Sequence, residues 1–69
     1  MPLTFAAIGK QNTIRKVGGN QEVRQHLKNL GFIAGGSVTV LSEIGGNVIV
    51  RVKESRVAIS KALASKILV

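Results

Sequence analysis

Ten residues, Leu27-Lys28-Asn29-Leu30-Gly31-Phe32-Ile33-Ala34-Gly35-Gly36, constrain this chain more than any others. They read as the end of a helix, a forced stop and the approach to a strand. Leu27 and Leu30 are three apart and share a helix face. Gly31 follows at once, where helices commonly end in a left-handed residue that glycine adopts without strain. With Leu30 as the C-cap, Phe32 is C″ and Leu27 is C3, the two positions that touch in a Schellman cap. Gly35-Gly36 then turns the chain into Ser37-Val38-Thr39-Val40, whose alternation is that of a strand. A helix that must stop here and hand over to a sheet sets the architecture of a small domain.

The rest of the chain fits around that joint. Leu3, Phe5 or Ala6, and Ile8 read as a lid of core residues, with Thr4 capping a brief turn. Thr13 to Val17 reads as the first strand. Ile14 and Val17 are three apart, so strict alternation breaks there, as at a bulge. Asn20 is a good N-cap, and Glu22 suits the first turn of a helix over Gln21 to Leu30. Val23, Leu27 and Leu30 form its inward stripe. Val38 to Ile44 and Val48 to Lys53 read as two strands joined through Gly45-Gly46-Asn47. In the second of them Val48, Val50 and Val52 face inward, while Arg51 and Lys53 face out. Glu54-Ser55 turns the chain into Arg56 to Ile59. Ser60 caps a short helical turn over Lys61 to Ala64, and Ile67 to Val69 closes the chain. These elements predict one all-β domain over residues 1–69. Its form is a small SH3-like barrel of about five strands, with one inserted α-helix and a short C-terminal helical turn.

The functions open to such a chain are bounded by what it lacks. It has no cysteine, so neither a disulfide nor a thiolate metal site is available. The three carboxylates, Glu22, Glu43 and Glu54, are scattered, and none but Glu22 lies near the lone His26. Glu22 and His26 are four apart, but two groups do not make a selective metal site. No Gly-rich run continues into the Lys-Ser/Thr of a phosphate-binding loop. The reading is therefore of a protein that is not an enzyme, with no cofactor and no metal site. No N-terminal basic and apolar pair of regions marks a signal peptide, and no apolar run approaches the ~18 residues of a membrane span. A cytoplasmic protein is expected.

Charge is the positive clue. Ten Lys and Arg against three acidic residues give a net +7, which implies an anionic partner. Nucleic acid is one such partner, and small barrels bind it. The cations are dispersed, however, and both phenylalanines read as buried, so the aromatic stacking platform is missing. A protein-binding module is favoured. Arg24 and Lys28 repel each other at i, i+4 by a few tenths of a kcal/mol, and an acidic partner, or Glu43 or Glu54 folding over, would relieve them. The expected partner surface joins Arg24 and Lys28 to the outward Arg51 and Lys53. Self-association through an apolar groove is a third reading.

The order Leu3-x-x-x-x-x-Gly9, Ile14-x-x-Val17 and Leu27-x-x-Leu30-Gly31-Phe32-x-x-Gly35-x-x-Val38-x-Val40 resembles the ferrous iron transport protein A family (FeoA). Val57-Ala58-Ile59-Ser60-Lys61-x-x-Ala64-x-x-Ile67 resembles that family's C-terminal segment. Similar barrels also end iron-dependent repressors of the diphtheria toxin repressor type. No DNA-binding domain precedes this one, so the stand-alone form is expected. The resemblance implies an SH3-like fold with a helix inserted between its first two strands. It implies a small cytoplasmic accessory of bacterial ferrous iron uptake, and the positive charge of the chain would suit encounter near the anionic inner face of the membrane. The partner it implies is the large transporter, ferrous iron transport protein B, with its cytoplasmic GTP-binding domain. Many members carry proline where this chain has Ala34, and Gly36 is an additional glycine. Leu27, Leu30, Gly31, Phe32 and Gly35 are read as structural, and the helix face they aim outward as functional.

Overall fold

In the computed structural model, which describes residues 1–69, helix α1 spans Gln21–Leu30, where the sequence places it. Both ends are capped. The Asn20 Oδ1 accepts the Val23 N–H at 2.8 Å, satisfying one of the orphan donors of the first turn. At the other end Gly31 has φ 107°. Its N–H donates to the Lys28 carbonyl and the Phe32 N–H donates to the Leu27 carbonyl, both at 3.0 Å. Those two bonds define the Schellman motif. Leu27 and Phe32 both belong to the buried core.

Strand β1 (Gln11–Thr13) pairs antiparallel with β3 (Ser37–Ile44), β3 with β4 (Asn47–Val52) and β4 with β5 (Ser55–Ser60). The result is a four-stranded sheet in the order β1-β3-β4-β5. Helical turn α2 (Lys61–Ala64) follows, and the Ser60 Oγ accepts the Leu63 N–H at 3.2 Å as its cap. Strand β2 (Lys16–Val17) pairs with β6 (Ile67–Leu68) in a separate two-stranded sheet. The twelve buried residues are all hydrophobic, and Phe32 is the one aromatic among them. Valines at every second position of β4 (Val48, Val50 and Val52) face this core, as the alternation requires.

Three expectations are corrected. Thr13 to Val17 is not one strand: β1 and β2 belong to different sheets, and Ile14 is the pivot between them. Its side chain is 1% exposed. Its N–H donates to the Gly36 carbonyl and its carbonyl accepts the Gly35 N–H, each at 2.8 Å. The break in alternation between Ile14 and Val17 thus marks a change of sheet. The register shift falls instead in β3, between Val40 and Ser42. Gly36 lets the turn close against Ile14, since a Cβ there would lie 3.1 Å from the Ile33 carbonyl oxygen.

The second correction concerns the N-terminal lid. Leu3 is fully buried, and Ala6 packs against the core, but Phe5 and Ile8 are 73% and 63% exposed. A 3₁₀ turn covers Leu3–Phe5 and follows Pro2 without a side-chain cap from Thr4. With three residues per turn, positions three apart share a face. Leu3 and Ala6 take the inward face, and Phe5 is left outside. The third correction is one of register. Val52 pairs with Ser55, so the turn is Lys53-Glu54, one residue earlier than the sequence reading. The inward valines of β4 fix that pairing, because a one-residue slip would turn all three outward.

Candidate partner-binding surface

Helix α1 is held to the body by its apolar stripe, with Leu27 buried and Val23 and Leu30 half-buried. That orientation leaves Arg24 and Lys28 exposed, one turn apart. Together with Val17, Phe32, Ile33 and Ala34 they line a shallow hollow. Arg51, on the outward face of β4, and Lys53, in the turn after it, line a second hollow with Gly31, Ile33, Ser37 and Thr39. Ile33 lines both. The four cations expected from the sequence therefore flank one apolar crest, two on each side. The crest is the connection that the glycine cap starts.

Ile33 is the residue that sequence reasoning missed. It is 39% exposed. The signal was present: once Phe32 is committed to the cap, its neighbour in an extended connection must face the other way. Arg56 was also passed over, and it stands directly opposite Arg51 across the β4–β5 ladder.

The carboxylates lie largely elsewhere. Glu43 pairs with Lys61 at the end of β3, so it does not fold over Arg24 and Lys28. Both groups of that pair are about half exposed, and such a pair contributes at most ~1 kcal/mol. Glu22 lines a third hollow on another flank of α1, with Gln21, Gln25, His26 and Asn29. No group of three His, Cys, Asp or Glu converges there or anywhere else. Glu54 sits beside Lys53 in the turn without an ion pair. Lys28 lies in the last turn of α1, where a cation complements the helix dipole. Arg24 has no such compensation.

Lys53 has φ 56°, the one non-glycine residue with positive φ. A side chain in this conformation costs about 1–2 kcal/mol. Glycine would relieve that cost but lose ~0.5–1 kcal/mol to its greater freedom when unfolded. Lys53→Gly is expected to gain about 0.5 kcal/mol, a rise of ~2–4 °C in a thermal melt. An unchanged or lower melting temperature would show that the lysine stem, which lies near Gly31, packs usefully.

A four-stranded antiparallel sheet, a two-stranded ribbon beside it, a single helical turn before the last strand and one inserted helix make this an SH3-like small barrel. A solved structure of Stenotrophomonas maltophilia FeoA complexed with zinc, described as an SH3 domain protein, superposes with a TM-score of 0.85 at 22% identity, over 99% of this chain and 87% of that one. The crystal structure of an iron uptake regulatory protein (FeoA) superposes with a TM-score of 0.88 at 31% identity, over 97% of this chain and 91% of that one. The FeoA domain pattern matches residues 1–69. A "Putative Fe(2+) transport protein A" of Methanocaldococcus jannaschii is 34% identical over 68 residues, 99% of this chain and 83% of that protein. The chain belongs to the FeoA family.

Proposed function

We propose that this protein is a non-enzymatic accessory of ferrous iron transport that docks on the cytoplasmic GTP-binding part of the membrane transporter, ferrous iron transport protein B. Family membership and the Fe(2+) transport protein A relative support the transport role. The observation that carries the docking surface is the placement of Arg24, Lys28, Arg51 and Lys53 on both sides of Ile33, with Glu22 and Glu43 directed elsewhere. An apolar centre with a charged rim is the anatomy of a protein interface. Cations on that rim speed encounter with an acidic protein, and near an anionic inner membrane face they would hold the protein close.

Reversing the charges tests this. Arg24→Glu with Lys28→Glu is expected to weaken binding to the transporter's soluble domain by about tenfold, mainly through a slower on-rate. Both positions are exposed, so the melting temperature should stay within a few degrees. A pull-down in which the double variant binds as well as the parent would overturn the assignment.

Nucleic acid is the alternative reading. The exposure of Phe5 removes one argument against it, but Phe5 lines neither basic hollow, and a lone aromatic does not make a stacking track. Filter binding to DNA and RNA at physiological salt separates the two readings. Tight binding with a steep salt slope would favour nucleic acid.

A further inference from the structure

Strand β5 is the last strand of its sheet and pairs with β4 alone. None of the backbone hydrogen bonds outside the ladders and helices involves residues 55–60. In an antiparallel pair, alternate residues direct their N–H and C=O groups away from the partner strand. Ser60 also caps α2, so over residues 55–59 the outer side of β5 is a row of backbone donors and acceptors without backbone partners, some 16 Å long at ~3.3 Å per residue. The opposite end of the sheet differs: β1 is three residues long, and its approach is tied down by the bond from the Gly9 N–H to the Val40 carbonyl.

The side chains say what could lie there. On the outward face Arg56 stands directly opposite Arg51, and Ala58 opposite Ile49. Like charges facing each other across a ladder are unfavourable. No carboxylate is bonded to either arginine, and the one ion pair in the structure is Glu43 with Lys61. A carboxylate placed beside Arg56 on an added strand would relieve that repulsion. A second copy of this chain would not, since it brings its own arginines and a net +7.

We propose that the open edge of β5 takes up an extended acidic segment of a partner protein as an added strand, with an acidic residue beside Arg56 and an apolar one beside Ala58. Backbone bonds would supply affinity and the alternate side chains specificity. This contact adjoins the candidate docking surface at Arg51, but it rests on the backbone edge of β5 and stands whether or not that surface docks on the transporter.

The test uses a blocked hexapeptide of alternating glutamate and valine and the isotope-labelled protein at physiological ionic strength. At millimolar peptide, amide signals of residues 55–60 are expected to shift and their hydrogen exchange to slow. N-methylating at least one of the two alternate sets of peptide amides should abolish binding. Arg56→Glu, at an exposed position, should weaken the peptide roughly fivefold and bind the lysine and valine counterpart instead. The proposal is overturned if residues 55–60 do not respond, if the response is confined to Arg24 and Lys28, or if both methylated peptides bind like the parent.

Discussion

Phe32→Ala is expected to lower the melting temperature by about 12–40 °C, or to leave the chain unfolded at room temperature. Removing a buried phenylalanine typically costs about 3–5 kcal/mol, transfer and cavity terms together. A small domain loses ~4–8 °C per kcal/mol. Phe32 is 1% exposed and the only aromatic in a core of twelve residues. It also makes the helix cap, through its N–H to the Leu27 carbonyl. The alanine variant keeps that backbone bond and loses the apolar half of the motif, so α1 loses its attachment at the same time as the core loses volume. A conservative Phe32→Leu should recover much of the loss. The check is thermal unfolding followed by circular dichroism for both variants. A drop under about 5 °C for alanine would mean that the core closes over the gap and that the joint is held by Leu27 and the glycine alone.

Why the joint was legible in the sequence, and the N-terminal lid was not, has a physical reason. Helix α1 is written in short-range terms: Asn20 as cap, a stripe at Val23, Leu27 and Leu30, and a glycine where the backbone needs positive φ. Each signal lies within a few residues of its effect. The strand order of the meander follows from valine alternation in β4 and from short turns. Ile14 is different. Its role depends on Gly35 and Gly36, far along the chain, whose backbone takes up its hydrogen bonds. No local pattern distinguishes a bulge from a change of sheet. Phe5 misled for a similar reason. Large apolar residues are usually inside, but a single 3₁₀ turn has one inward position, and Leu3 holds it.

The candidate surface was legible in part. Lys53 is exposed because it sits in the turn after β4, whereas the exposure of Arg24, Lys28 and Arg51 follows from helix and strand periodicity. That the two pairs meet at Ile33 does not, because it depends on how α1 leans on the sheet. That geometry is set by the cap.

Gly31→Val is the sharpest test of the cap. Gly31 has φ 107°, beyond the left-handed well near +60° that L residues can reach. A Cβ at Gly31 would lie 3.6 Å from the Val52 Cγ2, an ordinary contact. Space is therefore not the obstacle to a first carbon; the backbone is. Gly31→Ala isolates that strain and is expected to cost about 1–2 kcal/mol. Valine adds a branch that is poorly tolerated at positive φ, and its expected cost is about 2–4 kcal/mol, or ~8–32 °C in the melt. Gly31→Asn should be the mildest of the three, since asparagine tolerates positive φ better than alanine or valine. The series also separates folding from binding, because Gly31 lines the hollow beside Arg51 and Lys53. If the glycine is only a joint, the asparagine variant, well below its midpoint, binds a partner as the parent does. A folded asparagine variant that has lost binding would place Gly31 in the contact surface. A valine variant with unchanged melting temperature would remove the cap from its organising role.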